Sequence, residues 1–379
     1  MSYDYIIIGA GASGLLLAEA LGQDSFFKDH QILVLDKATK TQNDRTWCFW
    51  ERGQGPFDSI LHHTWPNIHF AGKALDIKPA IAPYTYKMVS GDTFYAHYLS
   101  KIKTYPNINF VQDAVIDVHE AAEEVTVLGE TGSYTTKYVF DSRFDYKKLQ
   151  SQSRYPVLQQ HFLGWFVKTD HPVFDPTAAT FMDFSIPQQG NTRFMYVLPL
   201  SETEALVEYT LFSEHTLENS EYETAITHYL EHTLGTKIYT ITLTEQGNIP
   251  MTCYDFSAAN TNRTLKIGMA GGWTKASTGY TFYSSLKKVR QLVAHLKADK
   301  PLLKFSRKNR FWFYDLLLLD ILYKNNHLGQ QIFESLFKVR KPQLIFKFLD
   351  EDTSFWEDLY IMAAPKPWPF IKALLGRLF

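Results

Sequence analysis

The hydrophobic pattern is clearest at the start of the chain, where two apolar runs flank a glycine-rich turn. Residues 5–8 are mostly apolar, GAGASG occupies 9–14, and residues 15–21 are again mostly apolar. This order is typical of a buried strand that leads through a turn into a helix. A third apolar run at 31–35 ends in Asp36. The sequence therefore predicts a strand–turn–helix–strand unit with an acidic residue after its second strand.

This spacing favours a dinucleotide-binding site, because each glycine has a physical role. Gly9 permits a tight turn, Gly11 lets the backbone approach a pyrophosphate, and Gly14 lets the helix pack closely on the strand. Asp36 lies 36 − 14 = 22 residues after Gly14, where a carboxylate binds a ribose hydroxyl. Both FAD and NAD fit this pattern. The predicted cofactor contacts of this first turn are Gly9, Gly11, Ala12, Ser13, Gly14 and Asp36.

The region after Asp36 changes from polar residues to β-type alternation. A polar stretch at 37–44 leads into DRTWCFWE at 44–51, which we interpret as a loop over a site. Asp92 is placed to cap a helix at 93–103. Later alternation predicts a four-stranded meander with a turn at 129–132. Its predicted strands are 107–111, 115–118, 123–128 and 134–141, and shorter strands are predicted at 68–70 and 84–89.

Alternating residues from 156 to 249 predict the sheet of a substrate lobe, with its clearest strands at 161–168, 193–198 and 205–211. A strand at 265–269, a glycine-rich turn at 268–280 and a helix at 281–297 then resume the nucleotide domain. The predicted fold class is α/β with a discontinuous nucleotide domain. The predicted ranges are 1–60, 92–155 and 255–300 for cofactor binding, 61–91 and 156–254 for the substrate β-sheet domain, and 301–379 for a helical C-terminal region.

Composition and charge narrow the function classes. The 379-residue chain is 45% hydrophobic and 21% charged, as expected for a folded protein of two or three lobes. Its formal net charge of −2 does not indicate nucleic-acid binding. Cys48 and Cys253 are too few for a disulfide framework and lack metal-ligand spacing, so we expect a reducing cytosol and no metal.

Two apolar segments bear on where in the cell the protein is expected to lie. A cleaved secretion signal would have to include the first predicted strand, so we expect none. The most apolar stretch, 311–323, contains Asp315 and Asp320 and falls short of the roughly 18 uncharged residues of a spanning helix. We therefore expect a cytoplasmic protein without a transmembrane segment.

The motifs, taken in order, resemble the flavoprotein lycopene cyclases. They are GAGASG at 9–14, DRTWCFW at 44–50, FLGW at 162–165, YVLPLSETEALVEYT at 196–210 and GGWTKASTGYTF at 271–282. The resemblance covers most of the chain and implies a Rossmann-like FAD-binding domain of the GR2, hydroxylase-type flavoprotein class. It also implies a redox-neutral closure of the ψ-ends of lycopene to β-rings, giving γ-carotene or β-carotene. Reduced FAD is the implied cofactor, and NADPH is the implied reductant.

The resemblance also implies which residues contact the flavin. A second glycine-rich turn at 268–279 would carry backbone N–H groups to the pyrophosphate and the flavin ring. Met269 stands where many flavoproteins have an acidic residue that binds the ribityl chain. Arg45 is a candidate partner for a phosphate or ribose, and a solvated surface arginine is the alternative. The further predicted cofactor contacts are Lys37, Arg45, Asp141, Gly268, Gly271, Gly272, Thr278 and Gly279.

A catalytic carboxylate follows from the same resemblance. The FLEET motif of the family corresponds here to LVEYT, so Glu208 falls on the indispensable first glutamate and Tyr209 replaces the second. Protonation of an alkene needs an acid that keeps its proton near neutral pH, and burial raises the pKa of a carboxyl group. Glu208 is therefore the predicted proton donor. The alternative is an exposed carboxylate on the outward face of a strand.

Aromatic residues near the motifs are candidates for lining a polyene channel, where their faces would stabilise a cation. They are Trp47, Phe49, Trp50, Trp273, Tyr280 and Tyr283. Ordinary core packing is the alternative for each of them, since 15% of the chain is aromatic.

The C-terminal residues 366–379 combine apolar side chains with Lys366, Lys372 and Arg377 and contain no acid. This mix predicts peripheral contact with the inner face of the cytoplasmic membrane, where the substrate is dissolved. Residues 337–348 repeat the mix of aromatic and basic side chains. A terminal helix packed on the protein is the alternative.

Two other function classes remain open. An FAD-dependent reductase or monooxygenase acting on a prenyl or aromatic substrate would share the fold. The single carboxylate in LVEYT is the only hint of a non-enzymatic carotenoid-binding flavoprotein. The number of cyclised ends, the ring type and the oligomeric state do not follow from the sequence.

Overall fold

A computed structural model describes residues 2–378 of the protein. The chain forms α-helices and three β-sheets. The strands are β1 (Ser2–Ile8), β2 (Ile32–Asp36), β3 (Thr46–Arg52), β4 (His63–Trp65), β5 (Asn67–Ala71), β6 (Asp76–Ile77), β7 (Tyr84–Ser90), β8 (Ile108–Gln112), β9 (Val115–Glu120), β10 (Val125–Gly129), β11 (Ser133–Asp141), β12 (Leu158–Thr169), β13 (Ala178–Asp183), β14 (Thr192–Pro199), β15 (Glu204–Ser213), β16 (Tyr239–Met251) and β17 (Thr264–Lys266). The helices are α1 (Ala12–Gln23), α2 (Gly91–Ile102), α3 (Tyr146–Gln150), α4 (Asn219–His228), α5 (Phe282–Lys297), α6 (Arg310–Lys324), α7 (Gly329–Val339), α8 (Pro342–Leu349), α9 (Phe355–Met362) and α10 (Pro367–Leu378).

The nucleotide sheet is formed by parallel strands in the order β8-β2-β1-β11, with β17 beside β11. Its central strands are continuous apolar runs because both faces are covered: Ile6 and Ile7 point to opposite faces and both are fully buried. Side chains of α1, α2 and α5 cover one face. This arrangement confirms the predicted α/β fold class.

The predicted four-stranded meander is wrong at its first strand. Strands β9, β10 and β11 are antiparallel neighbours, as predicted. Strand β8 instead lies at the opposite edge, parallel to β2. The physical reason is the preceding α2, because a helical crossover returns the chain parallel to its sheet.

The large antiparallel sheet has the order β16-β12-β15-β14-β13-β5-β6. Helix α4 covers one face, where Leu163 and Val207 pack against Tyr222. The opposite face packs on the C-terminal helices through residues such as Phe194 and Phe333. Strands β12, β14 and β15 were predicted from alternation, whereas α4 was not.

A three-stranded sheet of β3, β7 and β4 lies between the two larger cores. The prediction of a loop at 44–51 is therefore wrong from Thr46 onward, since these residues form β3. Its aromatic residues alternate: Phe49 packs into the nucleotide core and Trp50 into the second core. Alternating aromatic side chains stabilise a strand buried on both faces.

The C-terminal region is helical, as predicted, and its last helix α10 packs along α6. Arg377 of α10 binds both carboxylate oxygens of Asp320 at 2.7 and 2.6 Å. Arg377 is thus an internal ion-pair partner rather than a free basic residue of the terminus. The predicted apolar residue Phe379 lies outside the described residues.

Between residues 2 and 378, no helix is both long and apolar enough to cross a membrane. The predicted domain boundaries stay a prediction.

Candidate active site

The first glycine turn has the geometry that its spacing predicts. Gly9 has φ +99°, and a Cβ there would lie 2.0 Å from Ser142 Oγ. A Cβ on Gly14 would lie 1.9 Å from the carbonyl oxygen of Gly9, so only glycine allows this approach of helix to strand. A Cβ on Gly11 would meet no atom within 4 Å, because Gly11 faces an open cavity at the start of α1. The first N–H groups of α1 are therefore directed at space that a phosphate can fill.

Asp36 lies beside this turn at the end of β2. Its buried carboxylate accepts hydrogen bonds from the backbone N–H groups of Ala10 at 2.6 Å and Ala38 at 2.8 Å. Lys40 Nζ lies 3.4 Å from the same carboxylate and lines the cavity, whereas the predicted Lys37 is exposed and does not. Arg45 also lines the cavity, with its side chain 59% exposed and 3.6 Å from Asp44. The sequence reasoning missed Lys40, the basic residue that contacts Asp36.

Only some of the residues predicted to contact the cofactor from the second glycine turn line the cavity that Gly11 faces. Gly268 (φ +61°), Thr278 and Gly279 (φ +72°) line the same cavity as Gly11. Gly271 and Gly272 line a neighbouring cavity instead. A Cβ on Gly271 would lie 2.2 Å from the carbonyl oxygen of Lys266, so this glycine is required by packing against β17. The prediction that Gly271 and Gly272 contact the cofactor stays a prediction, since both glycines lie outside the cavity that Gly11 lines.

Asp141, at the end of β11, is occupied by internal partners. Its carboxylate binds Arg143 at 2.8 Å and Lys266 at 2.7 Å and is 1% exposed. Burial alone would raise the pKa of Asp141, but the hydrogen bonds and charges of Arg143 and Lys266 outweigh burial and lower it. The predicted role of Asp141 as a cofactor contact is therefore not supported, and its neighbour Ser142 lines the cavity instead.

One cavity of about 430 Å³ connects the first glycine turn to the large antiparallel sheet. Its nucleotide end is formed by the glycines, Asp36 and Ser142. Its far end is apolar and lies between the sheet and the C-terminal helices. The aromatic residues of that far end are Phe162, Phe181, Phe194, Phe212, Phe333 and Phe337. The predicted membrane-facing stretch 337–348 thus turns Phe337 and Ile345 inward, towards this cavity.

Glu208 lines this cavity from β15. It is 6% exposed on β15, so the alternative of an outward-facing, solvated carboxylate is wrong. Burial, the charge of Glu245 and a hydrogen bond to Glu245 raise the pKa of Glu208 well above its usual value. A carboxyl group whose pKa is raised keeps its proton to higher pH, which is the property that a proton donor needs. The sequence reasoning missed Glu245, which lies on a different strand.

The aromatic candidates divide between the two cavities. Trp47 lines the main cavity and stacks on Phe282 with ring centroids 5.0 Å apart, whereas Tyr280 lines both cavities. The other four line the neighbouring cavity of about 380 Å³ and pack in its walls. Trp50 stacks on Phe346 at 4.7 Å, for example. The residues not brought to the main cavity are Phe49, Trp50, Trp273 and Tyr283.

Comparison with solved structures places this fold among flavoproteins. The chain superposes with a TM-score of 0.61 on a geranylgeranyl bacteriochlorophyll reductase-like protein from Thermoplasma acidophilum, at 13% identity and covering 100% and 99% of the two chains. It superposes with a TM-score of 0.60 on the flavin-dependent brominase Bmp2, at 14% identity and the same coverage. At these identities the likeness concerns the fold alone, and it confirms the predicted fold class.

Sequence comparison identifies the family. The chain is 28% identical over 292 residues to the lycopene beta-cyclase of Pantoea ananas, covering 74% of this chain and 71% of that protein. It is 24% identical over 290 residues to the lycopene beta-cyclase of Pseudescherichia vulneris, covering 73% and 70%. A family model described as lycopene cyclase protein matches residues 4–375. Because that match spans nearly the whole chain, this protein belongs to the lycopene cyclase family.

Proposed function

We propose that this protein closes the ψ-ends of lycopene to β-rings without net oxidation or reduction. One observation carries the proposal: a single cavity joins the glycine-rich turn of Gly9 to Gly14 to an aromatic-lined pocket, and the buried Glu208 lines that cavity. The pocket suits an apolar polyene, and a buried acid in its wall suits protonation of a terminal double bond.

FAD is the cofactor that fits the nucleotide end. The open space at Gly11 and the free N–H groups of α1 suit its pyrophosphate, and Asp36 suits a ribose hydroxyl. Gly268, Thr278 and Gly279 line the route from there towards Glu208. When bound and reduced by NADPH, FAD supplies negative charge next to a carbocation and is not consumed.

The chemistry of the chain begins at Glu208. Its O–H bond breaks as the proton passes to the terminal double bond of lycopene, which leaves a tertiary cation. The neighbouring double bond attacks that cation and closes the ring, and loss of one proton from a ring carbon restores neutrality. Aromatic faces such as those of Trp47 and Tyr280 are placed along the cavity to stabilise the cation. One proton enters and one leaves, so the product is an isomer of lycopene.

We further propose that the protein acts as a peripheral protein on the inner face of the cytoplasmic membrane. The C-terminal apolar surface consists of exposed side chains of α9 and α10, namely Phe355, Trp356, Leu359, Tyr360, Trp368, Ile371, Leu375 and Leu378. Lys366 and Lys372 are exposed within the same segment. The acids of α9 are neutralised internally, since Glu357 pairs with Lys347 and Asp358 with Arg310. Exposed aromatic and basic side chains together suit an anionic lipid surface.

Expression of the full chain in a lycopene-accumulating bacterium tests the function. We expect the extracted pigment to change to isomers of unchanged mass with β-ring absorbance. Purified protein should then form rings without matching consumption of NADPH. Persistence of lycopene beside soluble, flavin-loaded protein would contradict the proposal, and NADPH consumption in step with product would favour a flavin reductase or monooxygenase.

A further inference from the structure

The second carboxylate of the site is Glu245, which the LVEYT motif does not contain. Glu208 on β15 and Glu245 on β16 both pair with Gly164 of β12, so the three residues form one row across three strands. Residues in one such row direct their side chains to the same face of a sheet. The two carboxylates therefore approach each other above a position that has no side chain.

Gly164 makes this approach possible. A Cβ at this position would lie 2.6 Å from Glu208 Cγ and 3.3 Å from Glu208 Oε1. Any larger residue would occupy the gap through which the two glutamate side chains meet. With glycine there, the carboxyl groups of Glu208 and Glu245 are in hydrogen-bonding contact, and both line the main cavity.

The surroundings make the two carboxyl groups unequal. Thr46 Oγ1, at the start of β3, donates a hydrogen bond of 2.7 Å to Glu245 Oε2. Burial raises the pKa of Glu245, while the hydrogen bonds from Thr46 and Glu208 oppose the rise. Glu208 has no comparable hydroxyl donor in the described part of the chain. Only Glu245 therefore has a hydroxyl donor that favours its ionised form, which makes it the better proton acceptor of the pair.

Among residues 2–378, no basic side chain pairs with Glu208 or Glu245. Among the described residues that line the cavity, basic side chains are confined to Lys40 and Arg45. Lys40 contacts Asp36, and Arg45 contacts Asp44, both at the nucleotide end. A buried carboxyl group and a half-buried one without a cation between them are stable when they share a proton.

We propose that Glu245 is the catalytic base of the cyclisation and restores the proton of Glu208 after each ring closes. The inference rests on the proposed function. In this reaction the O–H bond of Glu208 breaks and a C–H bond forms at the terminal alkene. After ring closure a C–H bond of the ring breaks, its electrons form the ring double bond, and Glu245 takes the proton. That proton then crosses the hydrogen bond to Glu208, so no proton or electron is gained or lost.

Glu245→Gln tests the role of the base directly. We expect the purified, FAD-loaded full chain with this substitution to lose on the order of 100-fold or more in kcat, with KM and flavin absorbance unchanged. Because the base selects which ring proton leaves, its residual products should include isomers with a differently placed ring double bond. Glu245→Asp should recover β-rings in part. Glu204→Gln is the matched control, since Glu204 lies on β15 and pairs with Lys168 at the surface.

Thr46→Val provides a second variant that leaves both carboxylates in place. Loss of the 2.7 Å hydrogen bond should lower kcat, and Thr46→Ser should restore it. Normal β-ring formation by Glu245→Gln at the rate of the unaltered chain would overturn the inference. If the unaltered chain and the Glu204→Gln control form no rings, the proposed function itself fails.

Infrared spectroscopy of the carboxyl groups tests the shared proton without turnover. At neutral pH we expect the unaltered protein to show the C=O band of a buried protonated carboxyl group. That band should disappear in Glu208→Gln and shift in Glu245→Gln, because the acceptor of the hydrogen bond has changed. An unshifted C=O band in Glu245→Gln would contradict the hydrogen bond between the two carboxyl groups and overturn the inference.

Discussion

Glu208 and Tyr209 are consecutive in β15 and face opposite sides of its sheet. Glu208 lines the cavity, whereas the Tyr209 hydroxyl accepts a hydrogen bond of 2.9 Å from the buried Arg193 among the residues beneath α4. Successive side chains of a strand must alternate in this way. The tyrosine that replaces the second glutamate of the family motif therefore lies on the face of the sheet opposite the cavity.

Tyr209→Phe should accordingly lower the stability of the protein and leave its activity nearly unchanged. Arg193 loses one partner, so we expect the free energy of unfolding to fall by about 1–2 kcal/mol, while kcat stays within about twofold. Urea unfolding and product formation by the same preparation check both values. A large loss of kcat in a variant of normal stability would place Tyr209 in the reaction after all.

Gly11→Ala should weaken cofactor binding without disturbing the fold. The added methyl group meets no protein atom within 4 Å and occupies the space assigned to the pyrophosphate. We expect FAD affinity to fall at least about 10-fold, since the loss of one phosphate contact costs about 1.4 kcal/mol or more. Titration of the apoprotein with FAD measures this, and thermal unfolding of the apoprotein should be unchanged.

Gly376→Ala is the matched control, because its Cβ also meets no atom within 4 Å but lies in α10. Equal FAD affinity in the Gly11→Ala variant and the unaltered protein would show that the pyrophosphate lies elsewhere.

Asp141→Asn tests the structural role of that carboxylate. The pKa of Asp141 is lowered in the folded protein, so its contribution to stability is present above its unfolded pKa of about 4 and is lost as the pH falls through the lower folded value. We expect the substitution to cost about 1–3 kcal/mol at pH 7. The difference in free energy of unfolding from the unaltered protein should shrink below about pH 4. A constant difference from neutral to acidic pH would contradict this assignment.

The C-terminal apolar surface is best tested by point substitutions. Removal of α10 would also remove Arg377 from the buried Asp320. The double variant Trp356→Ser, Trp368→Ser removes side chains that are 77% and 69% exposed, so its stability should be unaffected. We expect binding to anionic lipid vesicles to fall at least about 10-fold, as measured by flotation.

A control for lipid binding is available elsewhere on the surface. Ile116→Ser, Ile238→Ser removes apolar side chains that are 66% and 67% exposed outside α9 and α10. This control should bind vesicles as the unaltered protein does. Equal losses in both double variants would mean that general surface hydrophobicity, and not the C-terminal surface, drives binding.

The sequence predicted best those features of the site and fold that are set by residues close together along the chain. The turn of Gly9, Gly11 and Gly14 was predictable because its steric requirements are set within a few residues. Strands β12, β14 and β15 of the large sheet were also predictable from alternation. Strand β8 was misplaced because pairing partners depend on the crossover through α2, which periodicity does not report.

The catalytic site was predictable only in part because it is assembled across strands. Glu208 was found through its motif, but Glu245 approaches it only because β12 lies between β15 and β16. The segment TLTEQGN around Glu245 has the alternation of an exposed strand and gives no sign of this contact. The division of aromatic residues between two cavities likewise depends on packing, since Trp47 and Phe49 are equally apolar in sequence.

The most direct test of the central claim compares Glu208→Gln with the unaltered protein under identical conditions. Both are purified with FAD, supplied with lycopene in vesicles and NADPH, and assayed for ring-containing isomers by chromatography and mass. The unaltered protein should form β-rings, and Glu208→Gln should bind FAD equally while forming none above background. Continued β-ring formation by the flavin-loaded Glu208→Gln variant would contradict the assignment of Glu208 as the proton donor.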